Sequence, residues 1–152
     1  MMIKRIFVWV ISMTVLMTAC TPNKGGSLPP SELFEGLVEA GFFEPPYMVD
    51  ISEGRLSEYN VNPEDAEAFI AMEAAITASF IQLIIIDAKD GRVNSVRDAM
   101  TEHQSQLKNE AFYPQGFEAA SASIVGAKGN IVYLICDERA EEIEKELLKF
   151  VA

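Results

Sequence analysis

Apolar residues along this chain change period several times, and each change marks an element. Phe80 to Ile86 reads Phe-Ile-Gln-Leu-Ile-Ile-Ile, apolar on both faces of an extended strand. That is the pattern of a central strand covered on both sides. Ile131 to Cys136 repeats it: Ile131, Tyr133 and Ile135 face one way, and Val132, Leu134 and Cys136 the other. After Asp90-Gly91, Val93, Val96, Met100, Leu107 and Ala111 recur at helical spacing and predict one long helix to about Glu110, stopped by Tyr113-Pro114. Asp137 is placed to cap a last helix. Its apolar face is Ala140, Ile143, Leu147 and Phe150 or Val151, and its many glutamates make the solvated face.

The remaining segments complete two ββα units. Ala68 to Ile76 has a composition that suits a helix, yet Ile70, Met72, Ala74 and Ile76 alternate with period two. A strand turning at Thr77-Ala78 into Phe80–Ile86 is the preferred reading. Phe117 to Ala120 fits a further helical turn. Lys128-Gly129 then joins strands Ser121–Ala127 and Asn130–Cys136 as a hairpin. The predicted class is therefore α+β: a small antiparallel sheet of about four strands. The two doubly apolar strands lie at its centre, with Ala68–Ile76 and Ser121–Ala127 as edges, and the two long helices cover one face. A short helix, Glu32 to Ala40, capped by Ser31 and ended by Gly41, precedes the sheet. With Phe34, Phe42 and Phe43 it is the nearest cover for the other face, a homodimer partner being the alternative. Glu44 to Asn60 should be mostly loop, with a short strand at Tyr47 to Ile51, and Asn62-Pro63-Glu64-Asp65 starts a brief helix.

Ahead of the domain stands a different pattern. Lys4 and Arg5 are followed by an apolar run from Ile6 and by Met17-Thr18-Ala19-Cys20. This is the layout of a secretory signal peptide, and with cysteine at the boundary it resembles a bacterial lipoprotein signal. The resemblance implies cleavage after residue 19 and a diacylglyceryl group on Cys20. Crossing a bilayer takes about 20 apolar residues, more than this run supplies. Residues 20–30 (CTPNKGGSLPP) have the composition of a flexible tether, and 31–152 form a single domain.

The signal carries two basic residues and no acids, so its removal leaves 10 Lys and Arg against 23 Asp and Glu, a net charge near −13. Nucleic acid, which is held mainly by cationic contacts to phosphate, is thereby disfavoured. So is electrostatic adhesion to anionic lipid, which leaves the acyl chains on Cys20 as the membrane contact.

The run from Leu56 to Val151 also resembles a family of small Gram-positive lipoproteins known only as domain of unknown function four-three-five-eight. The resemblance rests on Glu58-Tyr59-Asn60-Val61-Asn62-Pro63-Glu64-Asp65, on Ile86-Asp87-Ala88-Lys89-Asp90-Gly91, on Phe112-Tyr113-Pro114, and on Gly129 to Glu138 (GNIVYLICDE). It implies an envelope lipoprotein and hands over no activity and no functional residues.

Direct search for chemistry finds little. His103 is the only histidine and edges the apolar stripe of the long helix. Cys136 sits in an apolar strand, whereas a reactive thiolate needs an electropositive, partly open setting. One histidine and one such cysteine make no zinc site. Asp87-Ala88-Lys89-Asp90-Gly91 fails as a calcium loop because Lys89 takes a ligand position. No phosphate-binding glycine loop or nucleophile-elbow serine is present. No catalytic residue, metal or cofactor is assigned.

Two surfaces remain: the loop carrying Phe43, Tyr47, Met48 and Tyr59, and the segment from Tyr113 to Phe117. Aromatic residues on a loop favour recognition, and the bland reading of either is packing. The expected function is a non-catalytic, lipid-anchored module that binds an envelope protein or a small ligand. The alternatives are a carboxylate-based hydrolase of an envelope polymer and a structural oligomer.

Overall fold

The computed structural model describes residues 27–43, 47–76 and 80–151. The signal peptide, Cys20, most of the tether and the Thr77-Ala78 turn lie outside the described residues. Helix α1 (Pro30–Glu39) comes first, followed by strand β1 (Met48–Asp50) and two 3-10 turns, Leu56–Tyr59 and Pro63–Asp65. Strands β2 (Ala66–Ala74) and β3 (Gln82–Ala88), helices α2 (Val93–Glu110) and α3 (Pro114–Ala122), strands β4 (Ile124–Lys128) and β5 (Ile131–Cys136), and helix α4 (Ala140–Phe150) complete the chain. Among the described residues, no helix is long and apolar enough to cross a membrane.

The strands form one antiparallel sheet in the order β1-β2-β3-β5-β4. The α+β class, the preceding helix and the central pairing of β3 with β5 match expectation, Gln82 standing opposite Cys136 and Asp87 opposite Ile131. Alternation in β2 prevails over its helical composition because pairing with β3 buries Ile70, Ala71 and Met72. Gly129 (φ 56°) opens the two-residue β4–β5 turn, a left-handed position that glycine takes without strain.

Three details differ from expectation. Among the described residues the sheet has five strands: β1 pairs with β2, so β2 is internal and β1 is the edge. The helices do not share a face. Helices α2 and α3 pack on the side of Ile84, Ile86, Val132, Leu134 and Cys136, while α1 and α4 pack on the side of Leu83, Ile85, Ile131, Tyr133 and Ile135. Two central strands apolar on both faces require cover on each, and burying side chains such as Leu33, Met100, Ile143 and Leu147 contributes about 1.5–3 kcal/mol apiece. Finally, α1 starts at Pro30 with no side-chain cap, so Ser31 does not act as one. Proline at the first turn already holds the helical φ and lacks the N–H that a cap would satisfy. Asn62 does cap its turn, accepting from the Glu64 N–H at 3.0 Å. Asp137 acts just ahead of α4 instead, accepting from the Arg139 N–H at 2.7 Å.

The two ends of the sheet are unlike. At one lie the β4–β5 turn and the end of α4, where Lys128 donates to the Leu148 and Val151 carbonyls. At the other lie the start of β3, the end of β5 and the last turns of α2. Gly41, just after α1, borders a cavity with Arg139, and Gly36 lies against Phe150. Helix α1 therefore runs from the turn end toward the β3 start.

Candidate functional site

The four loop residues singled out from the sequence divide between the two faces. Phe43, Tyr47 and Met48 line one cavity of about 260 Å³ with Ile81, Asp137 and Arg139. Phe43 is buried on the α1/α4 side with its ring 6.4 Å from Phe34, whereas Tyr47 is 63% exposed. Arg139 sits 5.2 Å from the Phe42 ring and 3.5 Å from Asp137, so its charge is already engaged. Tyr59 belongs to the opposite, α2 side. The second segment, Tyr113 to Phe117, is at the same end of the sheet, and Phe112, Tyr113 and Phe117 are all exposed.

Tyr59 leads to the more chemical site. The 3-10 turn Leu56–Tyr59 ends on Asn60 at φ 58°, a left-handed conformation that asparagine tolerates. This reversal directs Tyr59 inward, where its ring meets His103 of α2 at 4.7 Å between centroids. His103 Nε2 lies 2.8 Å from Oε1 of Gln82, the first residue of β3. A carboxamide oxygen only accepts, which favours the tautomer protonated at Nε2 with a lone pair on Nδ1. That Nδ1 and the Tyr59 hydroxyl are both buried and make no hydrogen bond, although Tyr59 is only 4% exposed. Leaving a buried polar group unmet costs about 1–3 kcal/mol.

A cavity of about 280 Å³ opens over these groups. Tyr59, Gln82 and Leu107 form its buried floor, Ile51, Phe80 and His103 its half-buried walls, and Glu58, Gln106 and Glu110 its exposed rim. Arg55 and Glu73 also border it, and Arg55 donates to Glu58 at 2.7 Å. Phe80 holds φ 54°, a left-handed conformation that costs a non-glycine residue about 1–3 kcal/mol. The volume is near the lower bound for small-molecule sites and well above the roughly 150 Å³ that encloses benzene.

Burial governs the titrations here. It pushes the Tyr59 phenol up to about 12, with Arg55 opposing and Glu73 and Glu58 adding to the rise. Burial also lowers His103, against the Gln106 side chain and the charge of Glu110, so the imidazole is neutral near pH 7. Cys136, opposite Gln82 in the sheet, is pushed up to about 12 by burial and by Asp137, and remains a thiol. Among the described residues, no group of three or more His, Cys, Asp or Glu side chains is arranged to hold a metal ion.

Sequence reasoning put His103 at the edge of the core, where it lies, but did not join it to Tyr59 or find Gln82, Glu73 and Phe80. One signal was available. Gln82 is the single polar residue in Phe80–Ile86, and a buried carboxamide needs a partner. Cys20 lies outside the described residues.

No curated protein and no solved structure matches the chain. The match to a family model spans residues 47–137, which holds all five strands, α2, α3 and every residue of the Tyr59 cavity, while α1 and α4 lie outside it. Over that span the chain belongs to the family described as Domain of unknown function (DUF4358).

Proposed function

We propose that this protein is a lipid-anchored module of the cell envelope that binds a small ligand in the Tyr59–His103 cavity and carries out no chemistry on it. One observation carries the reading: the Tyr59 hydroxyl is buried without a hydrogen-bond partner, and Tyr59 lines a cavity beside His103. A bound molecule supplies what the fold leaves unmet. The protonated Cys136 thiol, and a His103 Nε2 already engaged by Gln82, support the non-catalytic part. The tether is proposed to reach the membrane through acyl chains on Cys20.

Anchoring is tested by fractionating cells that carry Cys20→Ser. Release from membranes, or an unprocessed precursor, supports the lipid anchor, and a processed form still held on membranes removes it. Binding is tested by native mass spectrometry of the full-length protein extracted from its own membranes in mild detergent. A bound small molecule that is lost in Gln106→Trp, where a large ring fills the cavity from an exposed helix position, supports the reading. A wild-type protein that arrives empty overturns it.

A second reading has its own observation. Phe112 is 86% exposed and lies with Tyr113 on the α2–α3 connection, and Phe117 in the first turn of α3 is exposed as well. Such rings serve a protein partner, and in-cell crosslinking that captures a reproducible partner through this segment would favour that reading.

A further inference from the structure

Resting on the small-ligand reading above, we infer that the Tyr59 cavity selects a small organic ammonium ion, a primary amine on an apolar body. Its charged groups are mostly acidic. In the tautomer whose Nε2 donates to Gln82, His103 Nδ1 is an acceptor. The Tyr59 oxygen can accept as well. Three carboxylates, Glu58, Glu73 and Glu110, border the cavity against one guanidinium, Arg55, which is already taken by Glu58. Among the described residues, Glu73 and Glu110 form no salt bridge. What the cavity lacks is positive charge, and a protonated amine brings one charge and three donors.

An anion would meet net repulsion here, and a neutral alcohol would leave the carboxylates unbalanced. A bare metal ion fits poorly, because the acidic groups are not gathered into a ligand set. Ile51, Phe80 and Leu107 supply apolar surface for the body of the ligand, and the Tyr59 face can add a cation–π contact.

The test is calorimetric titration of the full-length protein in detergent with n-butylamine, 1,5-diaminopentane and phenethylamine, each beside its matched alcohol and carboxylic acid. Saturable binding of at least one amine is expected, with the matched alcohol and acid at least about tenfold weaker, as loss of a charge-assisted hydrogen bond dictates. Tyr59→Phe and Glu73→Gln should each weaken the amine by about tenfold without lowering the melting temperature. No amine binding up to about 10 mM overturns the inference. So does an alcohol or acid that binds as tightly as the amine. The two failures of meaning separate cleanly: if a native ligand sensitive to Gln106→Trp is present but is not an amine, only this inference falls, and if no ligand is present the small-ligand reading falls with it.

Discussion

Tyr59→Phe removes one oxygen and tests the central feature of the site without any ligand. Tyr59 is 4% exposed and its hydroxyl is buried with no partner. An unmet buried polar group costs about 1–3 kcal/mol, and deleting it recovers that amount. The deletion leaves a void of about 12 Å³, which at about 24 cal/mol per Å³ costs about 0.3 kcal/mol. The net expectation is a gain of about 1 kcal/mol or more, or an upward shift in Tm of about 3–5 °C for a domain of this size. Burial raises the phenol to about 12, so at pH 7 the comparison is between a neutral phenol and a phenyl ring. Calorimetric and urea unfolding of both full-length proteins, in amine-free buffer, measure the difference. A Tyr59→Phe protein that is less stable by about 1 kcal/mol, the usual net worth of a hydrogen bond, would refute the reasoning. It would mean that the hydroxyl is satisfied in the free protein and that nothing there awaits a ligand.

Gly126 stands opposite Tyr133 across the β4–β5 ladder, and a methyl group there would run into the Tyr133 ring, whose hydroxyl donates to Glu144 at 2.7 Å. Gly126→Ala should therefore cost about 1–3 kcal/mol in urea unfolding, and less in a Tyr133→Leu background; equal stability would show that the ring yields freely. In a Cys20→Ser protein, Cys136 should resist a disulfide-exchange reagent at pH 8 until the fold opens, since burial holds its thiol at about 12; immediate stoichiometric labelling would contradict this. His103 titrates below its ordinary value, so the unfolded chain binds more protons as pH drops below about 6.5. Its contribution to stability is present at pH 7 and lost as pH falls toward the lower folded value. His103→Gln should flatten that acid limb relative to wild type, and parallel pH profiles for the two proteins would count against it.

Periodicity is a local property, and the elements it marks were legible in the chain. The doubly apolar strands, the stripes of α2 and α4, and the Lys128-Gly129 reversal each lie within a few residues of one another, and each forms near where the pattern puts it. The α+β class follows from their order, and strand was the better reading of Ala68–Ile76 once its pairing with β3 was supplied. The pattern also required cover on both faces of the central strands, but it did not say which helix goes where. An amphipathic stripe records that a helix buries one face and not the side of the sheet that receives it. The edge strand was less legible still, because Met48–Asp50 is three residues long and owes its form to β2.

The site belongs to this second kind. Tyr59, Gln82 and His103 come from a turn, a strand and a helix whose contact depends on α2 crossing the β3 end of the sheet on the same side as the Leu56–Tyr59 turn. Composition could show an aromatic, a carboxamide and a lone histidine, and could place the last at a core edge. Only the folded chain sets the imidazole against Gln82 and places a partnerless phenol hydroxyl and unpaired carboxylates around one cavity. Hydrogen-bond satisfaction is settled by distances between segments far apart in sequence. The chain alone thus determined the elements and the charge, and the tertiary packing determined which polar atoms remain unmet.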